Sequence, residues 1–321
     1  MSSRLFGPFG ESSQDNVKSK MSRLLTLLLL LLKGTILLAE DGESIHYKGR
    51  DYRLFPVSPE GIHSNVYSDE SDDEALQTGA RPFEASLQVF VPAYGWRHYC
   101  TAAIIDDCKV LAPAHCLTLF PEFSLRLQVG VLDFKTTPED FSQFINISDV
   151  YLHEDYEEGI RSIVNDIGFG FLSQTLVFNE HVQPAKITLS RKVMRNCLMY
   201  GRGSVIVDGP LYSVPLETDV RIKSYKICQP VHQQLGFEMT YKQVCLERNS
   251  SNYLDVLPCL ADGGGLLLCG REHDYLAGIA SYTFFCQEHL PAVYTQLVSY
   301  FAWIKDHKND NCRLKVHYED N

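Results

Sequence analysis

Short apolar stretches follow one another along the chain from Pro82 onward. They occupy residues 85–91, 100–105, 109–111, 125–129, 204–207, 265–268 and 276–281. Turn-forming residues separate these stretches, and apolar runs of this length between turns are typical of β-strands. Many short strands at such spacing predict an all-β barrel or sandwich.

A different period occurs near the end of the chain. The positions that follow it are Leu297, Phe301, Ile304 and Lys308, with Val298 and Ala302 beside them. Recurrence at every third or fourth residue predicts an amphipathic helix. We expect this helix to pack on the last barrel of the domain.

A second apolar segment lies close to the N-terminus. Residues 24–32 are almost all leucine and follow Arg23, Lys33 interrupts the run, and residues 34–39 resume it. The uninterrupted part is shorter than the roughly 20 residues that a membrane-spanning helix needs. A basic start, an apolar middle and a small residue at the end are typical of a signal peptide.

We assign the signal peptide to residues 1–39, with cleavage near Ala39 and with either Met1 or Met21 as the start. The alternative is an uncleaved membrane anchor, which Lys33 within the apolar run makes costly. The protein is therefore expected to be secreted and extracellular, with no membrane association after cleavage.

Residues 40–80 lack sustained periodicity and are predicted to form an acidic linker or propeptide, largely disordered. The acidic run in it comprises Asp69, Glu70, Asp72, Asp73 and Glu74. Like charges in a run are typical of a solvated linker, and a partner-binding acidic segment is the alternative. The net charge of −11 argues against nucleic acid or an anionic membrane as the main partner.

All ten cysteines lie between Cys100 and Cys312. None forms a CxxC pair, so a zinc or redox site is not indicated, and we expect no metal or other cofactor. An even number of cysteines in a secreted chain predicts disulfide bonds.

Three sequence blocks carry the candidate chemistry. The first is CTAAII at residues 100–105 with VLAPAHC at 110–116, the second is NDIG at 165–168 with FNEHVQP at 178–184, and the third is CLADGGGL at 259–266. In this order they resemble the chymotrypsin/trypsin-like serine proteases, in which similar blocks hold the catalytic histidine, the triad aspartate and the nucleophile. The resemblance covers about residues 82–305.

The resemblance implies an all-β fold of two antiparallel six-stranded Greek-key barrels with a C-terminal helix. The protease-like domain then spans residues 81–309, and residues 310–321 form a C-terminal tail. The family implies four disulfide bonds: Cys100–Cys116, Cys197–Cys269, Cys228–Cys245 and Cys259–Cys286. We predict a fifth bond between Cys108 and Cys312, with a free thiol or an intermolecular bond as the alternative.

The resemblance also implies how a triad would be placed. His115 matches the catalytic histidine and Asp166 the aspartate, but the nucleophile position holds Gly263, which has no side chain that could attack a carbonyl. The oxyanion hole would use backbone N–H groups of Gly263 and Ala261, where the family has glycine in place of Ala261. These departures predict a protein without peptidase activity.

The implied specificity pocket departs from the family as well. The residue at its base is Leu257, and two wall glycines are replaced by Thr283 and Ala292, so we expect a narrowed, apolar pocket. No Lys or Arg lies between Arg53 and Arg81 for activation cleavage, and no IVGG-like sequence is present. Asp262 is therefore expected to lack the ammonium partner that it has in active proteases.

Two N-glycosylation sequons occur, at Asn249 in a polar loop and at Asn146 between apolar residues. The second is the weaker site because it is expected to lie in a strand.

The resemblance, with these departures from it, suggests a serine protease homologue without catalytic activity, of the type found in arthropods. It would bind extracellular protein partners such as proteases, inhibitors or receptors, and act as a regulator in a proteolytic cascade. One alternative is a serine endopeptidase of unusual mechanism. The other is a membrane-tethered interaction module.

Overall fold

A computed structural model describes some residues with their side chains and others by their backbone alone. Side chains are described over residues 81–92, 94–133, 141–159, 162–188, 194, 196–202, 213–247, 263–282 and 291–307. Backbone alone is described over residues 36–38, 44–47, 50–53, 55–56, 203, 212, 248 and 308. Within these residues, no helix has the length and apolar character that a membrane crossing requires.

Four short strands precede the main domain. They are β1 (Ile36–Leu38), β2 (Ser44–Tyr47), β3 (Arg50–Arg53) and β4 (Phe55–Pro56). The first three form an antiparallel sheet, and β4 pairs with the first barrel. Strands β2 to β4 therefore lie inside the stretch predicted as a linker, where aromatic residues such as Tyr47 and Tyr52 favour extended pairing.

Six strands close the first barrel. In chain order the strands of this half are β5 (Glu84–Val91), β6 (Gly95–Asp106), β7 (Lys109–Ala112), β8 (Leu125–Val129), β9 (Gln143–Leu152), the small pair β10 (Glu157–Glu158) and β11 (Ile163–Val164), and β12 (Gly168–Leu172). The barrel order is β6-β5-β8-β9-β12-β7, and the pairing of β6 with β7 closes the ring. Helix α1 (Ala114–Thr118) follows β7.

A second barrel of six strands follows. Its elements are β13 (Lys186–Ile187), β14 (Cys197–Gly203), β15 (Tyr212–Ser224), helix α2 (Tyr225–Gln234), β16 (Gln243–Arg248), β17 (Leu266–Cys269), β18 (Tyr275–Tyr282) and β19 (Ala292–Gln296). The barrel order is β18-β17-β14-β15-β16-β19, closed by β18 with β19, while β13 pairs with β18 in parallel. The two closed antiparallel barrels confirm the predicted fold.

Among the described residues, one apolar cluster lies inside each barrel, a third lies between the barrels, and a small fourth cluster comprises Cys228, Met239, Cys245 and Val293. The cluster between the barrels takes Leu111 and Phe169 from the first barrel and Leu198 and Leu266 from the second. The barrels are therefore joined by a continuous dry layer, and this layer fixes the cleft that lies along their junction.

A buried ion pair also joins the barrels. Arg202 on β14 is fully buried, and its guanidinium contacts both carboxylate oxygens of Glu84 on β5, at 2.5 and 3.1 Å. The same guanidinium donates to the carbonyls of Val131 and Leu132 in the first barrel and of Ser213 in the second. Because every partner is an acceptor, the charge is compensated where water cannot reach it.

The described part of the chain ends in a 3₁₀ turn (Leu297–Tyr300) and helix α3 (Phe301–Lys308). Leu297 and Ile304 are buried as predicted, but Phe301 is 41% exposed and Tyr300 takes the inner position instead. A 3₁₀ turn advances about 120° per residue, so the third residue after Leu297, and not the fourth, returns to its face. The prediction for Phe301 was therefore wrong.

The sequence predicted that the terminal helix packs on the last barrel. The helix also packs on the first barrel and on the junction between the two barrels. The Trp303 ring stacks on Phe169 of β12 with ring centroids 4.7 Å apart. The buried Lys109 Nζ donates to the His307 carbonyl at 2.8 Å, where a helix end has unpaired acceptors. This contact brings the end of α3 close to Lys109 and its neighbour Cys108.

Candidate functional site

His115 is held by the short helix that follows β7. Its neighbour Cys116 is disulfide-bonded to Cys100 on β6, so the helix is tied covalently to the barrel wall. The His115 side chain is 20% exposed. Sequence and fold together therefore fix an imidazole at the edge of the junction between the barrels.

Asp166 is buried on the other side of this imidazole, between β11 and β12. The preceding residue, Asn165, has φ of +51°, the left-handed region that asparagine tolerates better than most residues. Its Oδ1 accepts from Lys242 Nζ at 2.7 Å and from Tyr300 OH at 3.2 Å. These bonds hold the turn that aims the Asp166 carboxylate at His115.

The two side chains form a tight pair. His115 Nδ1 lies 2.8 Å from Asp166 Oδ2, and the His115 backbone N–H donates to Oδ1 at 3.0 Å. The Ser281 hydroxyl donates to Oδ2, and the Thr295 hydroxyl donates to the Asp166 carbonyl at 3.0 Å. The carboxylate therefore orients the ring and directs Nε2 away from it.

Several charges set the protonation of His115. Burial lowers the His115 pKa. The charge and hydrogen bond of Asp166, together with the charge of Glu158, raise it by more than burial lowers it, so the net shift is upward. The ring therefore carries a proton more readily than an ordinary histidine does. A raised pKa makes His115 a weaker acceptor at mildly acidic pH and a potential donor to an anionic group.

Gly263 lies directly opposite Nε2. Its carbonyl accepts from the Thr101 backbone N–H at 2.7 Å, which fixes its position against β6. A β-carbon added there would lie 3.0 Å from His115 Nε2 and 2.7 Å from Cys100 Sγ. The backbone thus sits closer to the Cys100–Cys116 disulfide than a residue with a side chain permits.

His115 Nε2 has no hydroxyl hydrogen-bond partner within the described part of the chain. Its neighbour there is Cys116 Sγ at 3.4 Å. Cys100, His115 and Cys116 bring their potential ligand atoms within 4.8 Å of one another. Zn²⁺ binds cysteine as a thiolate, and both sulfurs are held in the disulfide, so this cluster does not form a zinc site in the oxidised protein.

Several predicted site residues lie outside the described residues: Leu257, Ala261, Asp262 and Thr283. Ala292 is described, and it is buried in the core of the second barrel. The narrowed, apolar pocket therefore stays a prediction.

Three of the predicted disulfide bonds are present: Cys100–Cys116, Cys197–Cys269 and Cys228–Cys245. The predicted bond Cys259–Cys286 lies outside the described residues. Cys108 is disulfide-bonded, which excludes the free-thiol alternative for it, and its predicted partner Cys312 also lies outside them.

Two residues near the site were missed from the sequence. Tyr156 and Glu158 lie beside the His–Asp pair, and the Tyr156 hydroxyl donates to Glu158 Oε2 at 3.0 Å. Burial, followed by the charge of Asp166, raises the Tyr156 pKa. The only signal in the sequence was the acidic turn between His153 and Asn165, which by itself reads as a solvated loop.

Comparison with known proteins agrees with this geometry. A family model described as Trypsin matches residues 72–304. Serine protease 28 of Mus musculus is 24% identical over 304 residues, which cover 89% of this chain and 99% of the mouse protein. Anionic trypsin of Canis lupus familiaris is 28% identical over 75% of this chain and 92% of its own length. Putative trypsin-6 of Homo sapiens is 27% identical over 73% of this chain and 90% of its own length.

Proposed function

The chain belongs to the trypsin family of serine proteases, and we propose that it is a non-catalytic member which binds protein partners outside the cell. The observation that supports this most directly is Gly263, whose β-carbon position lies 3.0 Å from His115 Nε2. In the family mechanism, a hydroxyl at this place gives its proton to the imidazole and attacks the substrate carbonyl. Glycine supplies neither atom.

The expected loss of activity is large. Removing the nucleophile of a serine protease costs about 10⁶ in rate, as much as removing the whole triad. Loss of one oxyanion donor, which the Ala261 substitution puts at risk, costs roughly 10²–10³. Water activated by His115 is a poor replacement because nothing fixes it at the carbonyl.

A rigid pair of barrels without chemistry is well suited to present loops to a partner. Binding residues in such folds concentrate on loops held by a rigid scaffold. The buried ion pair of Glu84 with Arg202 and the packing of Trp303 on Phe169 supply that rigidity here. The arthropod-type assignment and the role in a proteolytic cascade stay predictions.

Export from the cell rests on two observations. The leucine-rich run before Lys33 predicts a signal peptide, and disulfide bonds persist mainly in oxidising compartments. A mature protein in the culture medium whose N-terminus lies near Glu40 would support export. The same protein retained on membranes would support the tethered alternative.

One observation favours a working enzyme instead. The His115–Asp166 pair is intact and tightly bonded, and the relatives above are named as proteases or trypsins. A peptidase that uses activated water would need only this pair and a bound substrate. This alternative is separated from the first by a direct assay.

The assay uses the purified secreted protein with fluorogenic peptides of varied sequence and with a phosphonate that labels reactive serines. We expect neither turnover nor labelling, while a trypsin run in parallel shows both. The matched control is His115→Ala, which removes the imidazole that would act as the base. Turnover by the natural protein that His115→Ala abolishes would overturn the proposal.

The binding half of the proposal has its own test. A partner captured from extracellular fluid by the natural protein should be captured equally by His115→Ala, since the contact does not use the imidazole's chemistry. The partner should also leave the complex uncut, as judged by mass spectrometry. Release of cleaved fragments would favour the enzyme.

A further inference from the structure

A groove lies on the first barrel between the helix that carries His115 and strand β9. Its volume is about 500 Å³. Leu117 and Thr118 of α1 form one wall, and the segment from Phe120 to Leu125 forms the floor, including Phe123. Phe120 is buried beneath the floor and meets Phe123 edge to face with ring centroids 6.2 Å apart, so the partly exposed Phe123 ring supplies the aromatic surface of the groove.

The other wall of this groove is residues 146–150 of β9, and it begins with a glycosylation sequon. Asn146 and Ser148 are both exposed, because residues two apart in a strand point to the same side. The Asn146 carbonyl accepts from the Ser173 backbone N–H at 2.9 Å. The backbone is therefore fixed while the amide side chain faces outward at the rim.

The chemistry of the groove matches a sugar. Sugar rings have an apolar face of C–H groups, which packs on the negative face of an aromatic ring, and hydroxyls, which need polar partners. Phe123, which is partly exposed, offers the first kind of surface, and Ser124 and Asp149 on the lining offer the second. Ligand sites of this kind combine apolar walls with a few polar groups.

We infer that Asn146 carries an N-linked glycan whose first sugars lie in this groove. The inference rests on the proposed export, because the modification occurs in the secretory pathway. The transfer forms one bond, between Asn146 Nδ2 and C1 of the first sugar. The bond between C1 and a lipid-linked pyrophosphate donor breaks, the pyrophosphate leaves with the electron pair, and the amide nitrogen loses one proton.

The glycan covers apolar surface that is otherwise open to water. It also covers one side of the helix that positions His115, because Leu117 and Thr118 belong to both. A partner therefore reaches the vestigial cleft from its other sides. The weaker of the two sequons, as judged from sequence, becomes the one with a structural role.

Occupancy is tested on the full chain expressed in a secretory animal cell line. Peptide mass spectrometry after treatment with an amidase that removes N-glycans should find Asn146 converted to Asp, and Ser148→Thr should leave this unchanged. Asn146→Gln should lose one glycan by gel mobility. An unmodified Asn146 in protein recovered from the medium overturns this inference alone, whereas a protein that stays inside the cell overturns the proposed export.

Seating in the groove is tested by trimming the glycan to its first sugar. The trimmed protein should melt about 2–4 °C above Asn146→Gln, the range in which small stability changes appear for a domain of this size. It should also bind a hydrophobic dye less, by about twofold, because the aromatic floor is covered. Phe123→Ala should remove both differences. Equal melting and dye binding of the trimmed protein and Asn146→Gln would show that the sugar does not lie in the groove.

Discussion

Two histidines of the first barrel each bond to an oxygen, but in opposite surroundings. His115 is 20% exposed and lies 2.8 Å from the Asp166 carboxylate. His98 on β6 is 1% exposed, and its Nδ1 lies 2.9 Å from the Ser86 hydroxyl. Burial, followed by the charge of Arg202, lowers the His98 pKa to about 3.

The contrast shows that a hydroxyl beside an imidazole does not make a nucleophile. The serine–histidine contact is sealed inside the protein, where no substrate can reach it, and its imidazole resists protonation. The accessible imidazole has its orienting carboxylate but faces Gly263. The serine–histidine contact is therefore buried, and the partly exposed histidine faces a glycine. Substitutions can alter either histidine site.

The largest loss of stability should come from removing the buried charge of Arg202. Arg202→Met leaves the Glu84 carboxylate buried without its partner, and breaking a buried pair in this way costs about 3–5 kcal/mol of unfolding free energy. The matched control is Lys186→Met, which breaks the exposed pair with Asp274 at 3.3 Å and should cost about 0–1 kcal/mol. Urea unfolding measures both. Equal losses would show that the Arg202 pair does not hold the barrels together.

The next effect concerns acid stability. Below pH 6.5 the unfolded chain binds a proton at His98 that the folded protein refuses until the pH approaches 3, so His98 destabilises the fold as pH falls through this window. The slope from one such group is about 1.4 kcal/mol per pH unit.

His98→Gln cannot titrate and should flatten that part of the profile. His181→Gln, at an exposed histidine, is the control that should leave the profile unchanged. Chemical unfolding at several pH values between 4 and 7, in roughly half-unit steps, supplies the curves. A His98→Gln profile as steep as that of the natural protein would contradict the pKa shift.

A smaller loss of stability is expected when a hydroxyl is placed opposite His115. In Gly263→Ser the new β-carbon lies 2.7 Å from Cys100 Sγ, and overpacking of this kind costs about 1–3 kcal/mol. Peptide hydrolysis should stay at background. The serine side chain would push the backbone at residue 263 away from Cys100, and its hydroxyl would then not be held in position for attack. Gly159→Ser, where the nearest atom is the Ser162 hydroxyl at 3.3 Å, should be nearly neutral. Peptide turnover by Gly263→Ser that His115→Ala removes would mean that the site relaxes around a serine.

The smallest change sharpens the comparison without altering the fold. Asp166→Asn removes the charge that holds the His115 pKa up, so the pKa should fall as burial becomes the main influence. Ser281→Ala removes a donor to Asp166 but keeps the charge, and should keep the pKa raised. NMR titration of the imidazole protons gives both values. A His115 pKa unchanged in Asp166→Asn would exclude Asp166 as the cause.

The strand pattern could be predicted because it depends on local apolar runs bounded by turn-forming residues. The apolar stretches at 85–91, 109–111 and 125–129 lie within β5, β7 and β8. Helix α2 was missed because Pro230 lies inside it and because its exposed residues include the apolar Ile227 and Val231. A proline within the run and apolar residues on the solvent side both count against a helix when the sequence is considered alone.

The site could be predicted only as far as linear motifs reach. His115, Asp166 and Gly263 stand in recognisable blocks, and the fold brings them together. Arg202 and Glu84 lie 118 residues apart, and no local pattern marks two charges that will be buried against each other. Ser86 and His98 were missed for the same reason, since their pairing is set by the register of β5 and β6.

Through the packing of Trp303 against Phe169, helix α3 covers part of the first barrel. A ribosome releases the N-terminal barrel well before the indole that covers Phe169 has been made. Until synthesis ends, other groups must cover that aromatic ring, so we expect a nascent chain that stops before residue 303 to bind chaperones.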